Sequence, residues 1–127
     1  MSFTPDNTVA WAEIPVRDID QGIAFYSKVF DFELTKDESG PNPMAMLPVK
    51  DLATGTSGHI YPGKPAAPGT GATIHLFVPD TLEHTVERFQ KAGGTIVGDV
   101  VSLPFGRFQY GEDPDGNSIG LFEPAKG

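Results

Sequence analysis

Apolar and polar positions alternate and then recur at helical spacing, and this happens twice along the chain. Val9 to Val16 is rich in apolar residues and predicts a strand. Asp18-Ile-Asp-Gln21 has the form of a helix start, an acidic cap with Gln three residues on. Ile19, Ile23, Tyr26 and Phe30 then lie on one face of a helix. A short strand is predicted at Phe32 to Thr35, a Gly/Pro loop over Ser39 to Pro43, and further strands near Met44–Val49 and Thr56–Tyr61.

Adding 62 to each number reproduces the order without a gap. Ala72 to Val78 predicts a strand, and Asp80-Thr-Leu-Glu83 repeats the acidic cap. Leu82, Val86 and Phe89 continue one helical face, which Gly93-Gly94 ends. Strands follow at Thr95–Val97, Arg107–Tyr110 and Ser118–Phe122, the last two joined by a type I turn at Asp113-Pro-Asp-Gly116. Under this shift Val16 matches Val78, Asp18 matches Asp80, Gly58 matches Gly120 and Pro62 matches Pro124. The expectation is one α+β domain over 1–127. It holds two βαβββ modules at approximately 9–62 and 72–123, with the Pro/Gly-rich stretch from Pro62 to Gly71 as their linker.

Composition narrows the partners. With 17 acidic and 9 basic residues the formal charge is -8, which disfavours nucleic acid and anionic membrane surfaces. No cysteine is present, so disulfides and thiolate metal sites are excluded, in keeping with a cytoplasmic setting. No apolar run has the length of a membrane span, and Met1 to Asn7 lacks the pattern of a signal peptide.

The segments Ile14-Pro-Val-Arg-Asp18, Ile23-Ala-Phe-Tyr26 and Val29-Phe-Asp-Phe32 resemble the vicinal oxygen chelate superfamily. So do Phe77-Val-Pro-Asp80, Ala92-Gly-Gly94 and Asp113-Pro-Asp-Gly-Asn117. That superfamily includes glyoxalase I, bleomycin-resistance proteins and extradiol dioxygenases. The resemblance implies that each module's curved sheet forms half of an open barrel, with helices outside and a ligand cavity inside. It also implies pairing as a homodimer. Metal-dependent relatives carry a His or Glu ligand on the first and last strand of each module. By motif position those places are Trp11, Gly58, Thr73 and Gly120, none of which is a good metal ligand. The resemblance is therefore closest to a glyoxalase-like branch lacking the usual ligands, and no metal or other cofactor is expected.

Strand alternation predicts what would line the cavity instead. If Trp11 points inward, so do Glu13 and Pro15, while Ala12, Ile14 and Val16 meet the helix. If Thr73 points inward, so do His75 and Phe77, while Ile74, Leu76 and Val78 are core. The predicted cavity is Trp11, Glu13, Thr73, His75, Phe77, Tyr110 and Phe122, with Phe108 a further candidate. Glu13 and His75 are counterparts under the 62-residue shift. They admit three readings: an acid–base pair, two ligands of a metal displaced along the strands, or a hydrogen-bonded pair that shapes the pocket. With Gly58 inward, His59 would turn toward the helix; His84 is predicted to face solvent. Arg107 either meets an anionic ligand at the rim or is a solvated surface arginine. The function expected is binding of a small aromatic or apolar molecule without the family metal centre. The alternatives are an atypical lyase or isomerase using His75 and Glu13, a metal-dependent glyoxalase or dioxygenase, and a non-enzymatic dimeric module.

Overall fold

The computed structural model describes residues 2–126; Met1 and Gly127 of the expected domain lie outside the described residues. The first module runs β1 (Ala12–Val16), α1 (Ile19–Phe30), β2 (Lys36–Asp37), β3 (Met44–Met46) and β4 (Gly58–Pro62). The second runs β5 (Thr73–Phe77), α2 (Leu82–Lys91), β6 (Thr95–Leu103), β7 (Gly106–Glu112) and β8 (Ser118–Pro124). Each forms a four-stranded mixed sheet, ordered β1-β4-β3-β2 and β5-β8-β7-β6. First and last strands of each module pair in parallel, and the hairpin strands pair antiparallel. This is the expected α+β architecture of two βαβββ modules; among the described residues the two sheets stay open and do not close into a barrel.

The first helix starts as its sequence predicts. The Asp18 carboxylate accepts the N–H of Gln21 at 3.0 Å, and the helix ends with Asp31 in the left-handed region at φ 57°. The second corrects the expectation. Thr81, not Asp80, is the cap, its hydroxyl accepting the N–H of His84 at 3.1 Å. Asp80 is held instead by the Arg88 guanidinium, two N–H bonds of 2.9 Å, which keep its carboxyl well below the usual carboxylate range. The expected strand at Phe32–Thr35 is absent. Phe32 and Leu34 pack on the core as irregular chain, and pairing begins at Lys36. The second-module strands outrun their sequence signals: β6 extends to Leu103 with a register break between Val97 and Val101.

One core serves both modules. Ile14, Val16, Phe25, Tyr26, Phe30 and Ile60 from the first join Leu82, Phe89, Ile119 and Leu121 from the second, all buried. Phe25 meets Phe89 edge-on at 5.3 Å, joining α1 to α2. Beside this contact lies a polar seam. The Tyr26 hydroxyl donates to the buried Asp113 carboxylate at 2.6 Å. The same carboxylate accepts the backbone N–H groups of Asp115 and Asn117 and the Asn117 amide, each at 2.9 Å. Asn117 also donates to the Pro15 carbonyl at 2.7 Å, so the second module's turn grips the first module's strand. Burial and the neighbouring Asp113 charge push the Tyr26 phenol far up, so it stays a donor.

Candidate functional site

The predicted face split holds for both first strands. Ile14 and Val16 are buried, and Ile74, Leu76 and Val78 pack on the core. Their neighbours Trp11, Glu13, Thr73, His75 and Phe77 turn to the opposite sides of the sheets, which carry no helix.

On the first module's outward face Glu13 lies directly across from His59 in the β1–β4 register. The Trp11 indole N–H donates to His59 Nδ1 at 2.8 Å, and His59 Nε2 lies 3.5 Å from the Glu13 carboxylate. Because indole nitrogen only donates, Nδ1 must be the accepting nitrogen, so the ring proton sits on Nε2, toward Glu13. Tyr61 closes on His59 edge-on at 5.7 Å. His59 therefore belongs to the site face, a correction to its expected turn toward the helix. The parallel register explains it. Glu13 pairs with His59, whereas its counterpart His75 pairs with Gly120. The repeat offset is thus 62 between first strands (75 − 13) but 61 between last strands (120 − 59). Gly58 instead faces Ala12 on the buried side, where a Cβ would collide with the Ala12 carbonyl.

On the second module's outward face His75 lies over Gly120, whose missing side chain leaves room for the ring; a Cβ there would overlap the imidazole. The ring meets Phe108 edge-on at 5.0 Å and Tyr110 at 5.7 Å. This partial burial pushes its pKa below the ordinary imidazole value. Phe77 and Phe122 pack at 5.6 Å, and the Thr73 and Ser118 hydroxyls share a hydrogen bond of 2.6 Å. Phe77 is 69% exposed, while Trp11 and Tyr110 are each 39% exposed.

The expected cavity is therefore split. Thr73, His75 and Phe77 border a cavity of about 460 Å³ shared with Ala12, Leu47 and Gly58, whereas Trp11, Glu13, Tyr110 and Phe122 do not line it. Glu13 and His75 share no hydrogen bond or ion pair; the partner of Glu13 is His59. Arg107 is already held by Glu83, with two bonds of 2.6 Å, and by Glu123 at 2.5 Å; it faces α2 rather than a ligand rim. His84 is largely exposed, as expected.

With His59 in place of Gly58, the positions where the resemblance implies metal ligands hold Trp11, His59, Thr73 and Gly120. One imidazole, with Nδ1 already taken by Trp11, does not make a divalent-ion site. No group of three or more metal-ligating His, Asp or Glu side chains occurs among the described residues.

The two sheets of βαβββ modules, their helices sharing one core and their strand faces bare, define a glyoxalase-type fold. The family model described as "Glyoxalase/Bleomycin resistance protein/Dioxygenase superfamily" matches residues 8–121. The chain belongs to that superfamily. It is 29% identical over 119 residues to a glyoxylase-like domain-containing protein of Didymella fabae, covering 87% of this chain and 88% of that protein. Among solved structures it resembles a glyoxalase/bleomycin resistance protein from Albidiferax ferrireducens. The TM-score is 0.71 at 17% identity, covering 92% of this chain and 98% of that one. It also resembles the fosfomycin resistance protein FosX from Listeria monocytogenes, with a TM-score of 0.68 at 16% identity, covering 98% and 95% of the two chains. No helix among the described residues is long and apolar enough to cross a membrane.

Proposed function

We propose that the protein binds a small aromatic or apolar molecule between its outward strand faces, without the metal centre of its metal-dependent relatives. One observation carries this reading. Large aromatic side chains stand exposed on the strand faces although the core is built on the other side of both sheets. A monomer gains nothing by exposing Phe77, Trp11 and Tyr110 in this way unless something covers them. A homodimer would bring the first-module face of one copy toward the second-module face of another and enclose the ligand between them. The absence of cysteine fits a cytoplasmic site of action.

A second reading has its own support. His75 has no hydrogen-bond partner among the described residues and its pKa is depressed, so it is neutral at pH 7 with a free lone pair, as a general base requires. Glu13 would then reach it only across a dimer interface, as orienter or acid.

Thermal shift against a panel of planar aromatic compounds tests the binding reading, since a ligand of the folded state raises the melting temperature by mass action. Sedimentation velocity tests the dimer. If the protein binds without turnover, His75→Ala weakens affinity alone; if it is an enzyme, turnover falls far more than affinity. Stoichiometric metal in chelator-free protein, lost in His59→Ala, would overturn the metal-free reading.

A further inference from the structure

We infer that the ligand is an aromatic cation, whose amine or quaternary ammonium seats on Glu13 beside Trp11 and Tyr61. This rests on the small-molecule reading above and specifies its polar end. Three observations carry it. First, the charge on the strand faces has one sign. Only Lys36 and Arg107 among the nine basic residues lie in strands, and both turn to the helix side, paired with Asp20 and with Glu83 and Glu123. Glu13 and Glu112 both lie on the outward faces, Glu112 in the row of Thr73 and Ser118. Neither pairs with a lysine or arginine. Second, Glu13 is held but not consumed. Its side chain is 64% exposed, and its neighbour His59 presents one N–H from a ring whose other nitrogen is pinned by Trp11. The rest of the carboxylate is open to a second donor. Third, the side chains flanking the Glu13–His59 contact are aromatic, Trp11 at 6.0 Å and Tyr61 at 5.7 Å from the His59 ring, and the other module's outward face carries the Phe108–Tyr110 and Phe77–Phe122 pairs. Ring faces attract cations and repel carboxylates. The net charge of -8 draws cations in from solution. An anionic ligand on either outward face would meet a carboxylate, Glu13 or Glu112, and no guanidinium or ammonium from the strands.

His59 is then a positioning residue. The Trp11 bond fixes its tautomer and turns its Nε2–H toward one carboxylate oxygen of Glu13 at 3.5 Å, leaving the other for the ligand.

The test uses three probes with the same phenyl body: phenethylamine, phenethyl alcohol and phenylpropionate. Trp11 is the only tryptophan, so its fluorescence reports binding at the face in question, with calorimetry as the second readout. The amine should bind roughly tenfold more tightly than the alcohol, and the carboxylate most weakly. In Glu13→Gln, an exposed isosteric change that leaves the fold intact, the amine should lose that advantage while the alcohol binds as before. In Trp11→Phe, followed by calorimetry, the advantage should shrink about threefold, because the ring face remains but His59 is freed. If amine and alcohol bind equally, or the preference survives Glu13→Gln, the cation inference is overturned and the aromatic-binding reading stands. If none of the three binds, both fall.

Discussion

The two outward strand faces share a backbone and differ in chemistry, and one position accounts for much of the difference. In the second module the last strand places Gly120 opposite His75, and the imidazole lies across the gap toward Phe108 and Tyr110. In the first module the equivalent place holds His59, whose ring fills that space itself and reaches Glu13 and Trp11. A side chain on the last strand thus makes a polar triad, and its absence makes an aromatic nest. Duplication supplied two equal frames; whether the last strand carries an imidazole or a hydrogen atom decided how each was furnished.

The comparison presumes that both faces hang on one rigid frame, and the strongest variant tests that. Asp113 accepts four hydrogen bonds at the seam, so Asp113→Ala leaves buried donors unpaired and should cost about 3 kcal/mol or more. Urea denaturation should still show one transition; two separated transitions would mean that the modules are independent and their faces not parts of one device. Next in size are the two glycines that the uniform offset treats as counterparts. A Cβ at Gly58 meets the Ala12 backbone carbonyl, which cannot move aside, so Gly58→Ala should cost about 3 kcal/mol. A Cβ at Gly120 meets the His75 side chain, which can turn out to solvent, so Gly120→Ala should cost about 1–2 kcal/mol. The cost at Gly120, and not that at Gly58, should largely vanish in a His75→Ala background.

Those glycines also show where the sequence was legible. Alternation over β1 and β5 placed Ile14, Val16, Ile74 and Leu76 correctly, because each strand buries one aliphatic face against a helix. The Asp18 cap and the Asp113–Gly116 turn were equally readable, being local hydrogen-bond chemistry. The uniform offset failed where the modules differ in their hairpins. A long loop, Leu47 to Ser57, leads into β4, while the tight Asp113–Asn117 turn leads into β8; β2 has two residues and β6 nine. A one-residue slip reverses the facing of a whole strand, and it hid His59. The Phe25-Tyr26 and Asp113–Asn117 segments that carry the family resemblance lie at the seam. They identify the frame and say little about the ligand.

The aromatic nest predicts a titration. The folded-state pKa of His75 is depressed, so its contribution to stability is fully present above the unfolded value near 6.5 and is lost as pH falls through the lower folded value. A proton NMR titration should place the His75 midpoint below 6.5, and His75→Asn should flatten the decline in melting temperature on the acid side of that pH. A midpoint above 6.5 would mean that an acidic group, not the Phe108 and Tyr110 rings, governs the histidine.

The smallest expected effect belongs to the polar triad. Trp11, His59 and Glu13 are joined by one hydrogen bond and one long contact of 3.5 Å between a neutral imidazole and a carboxylate at an exposed face, so Glu13→Gln should change stability by less than about 1 kcal/mol. Trp11→Phe keeps most of the ring and loses the N–H, which should cost about 1 kcal/mol, with a coupling of similar size to His59→Ala in a double-mutant cycle. A network this cheap to remove adds little to the fold, which is what a ligand-facing arrangement predicts. A loss above about 3 kcal/mol for Glu13→Gln would place the triad among the structural contacts, beside the seam, and leave the second module's aromatic nest as the sole candidate site.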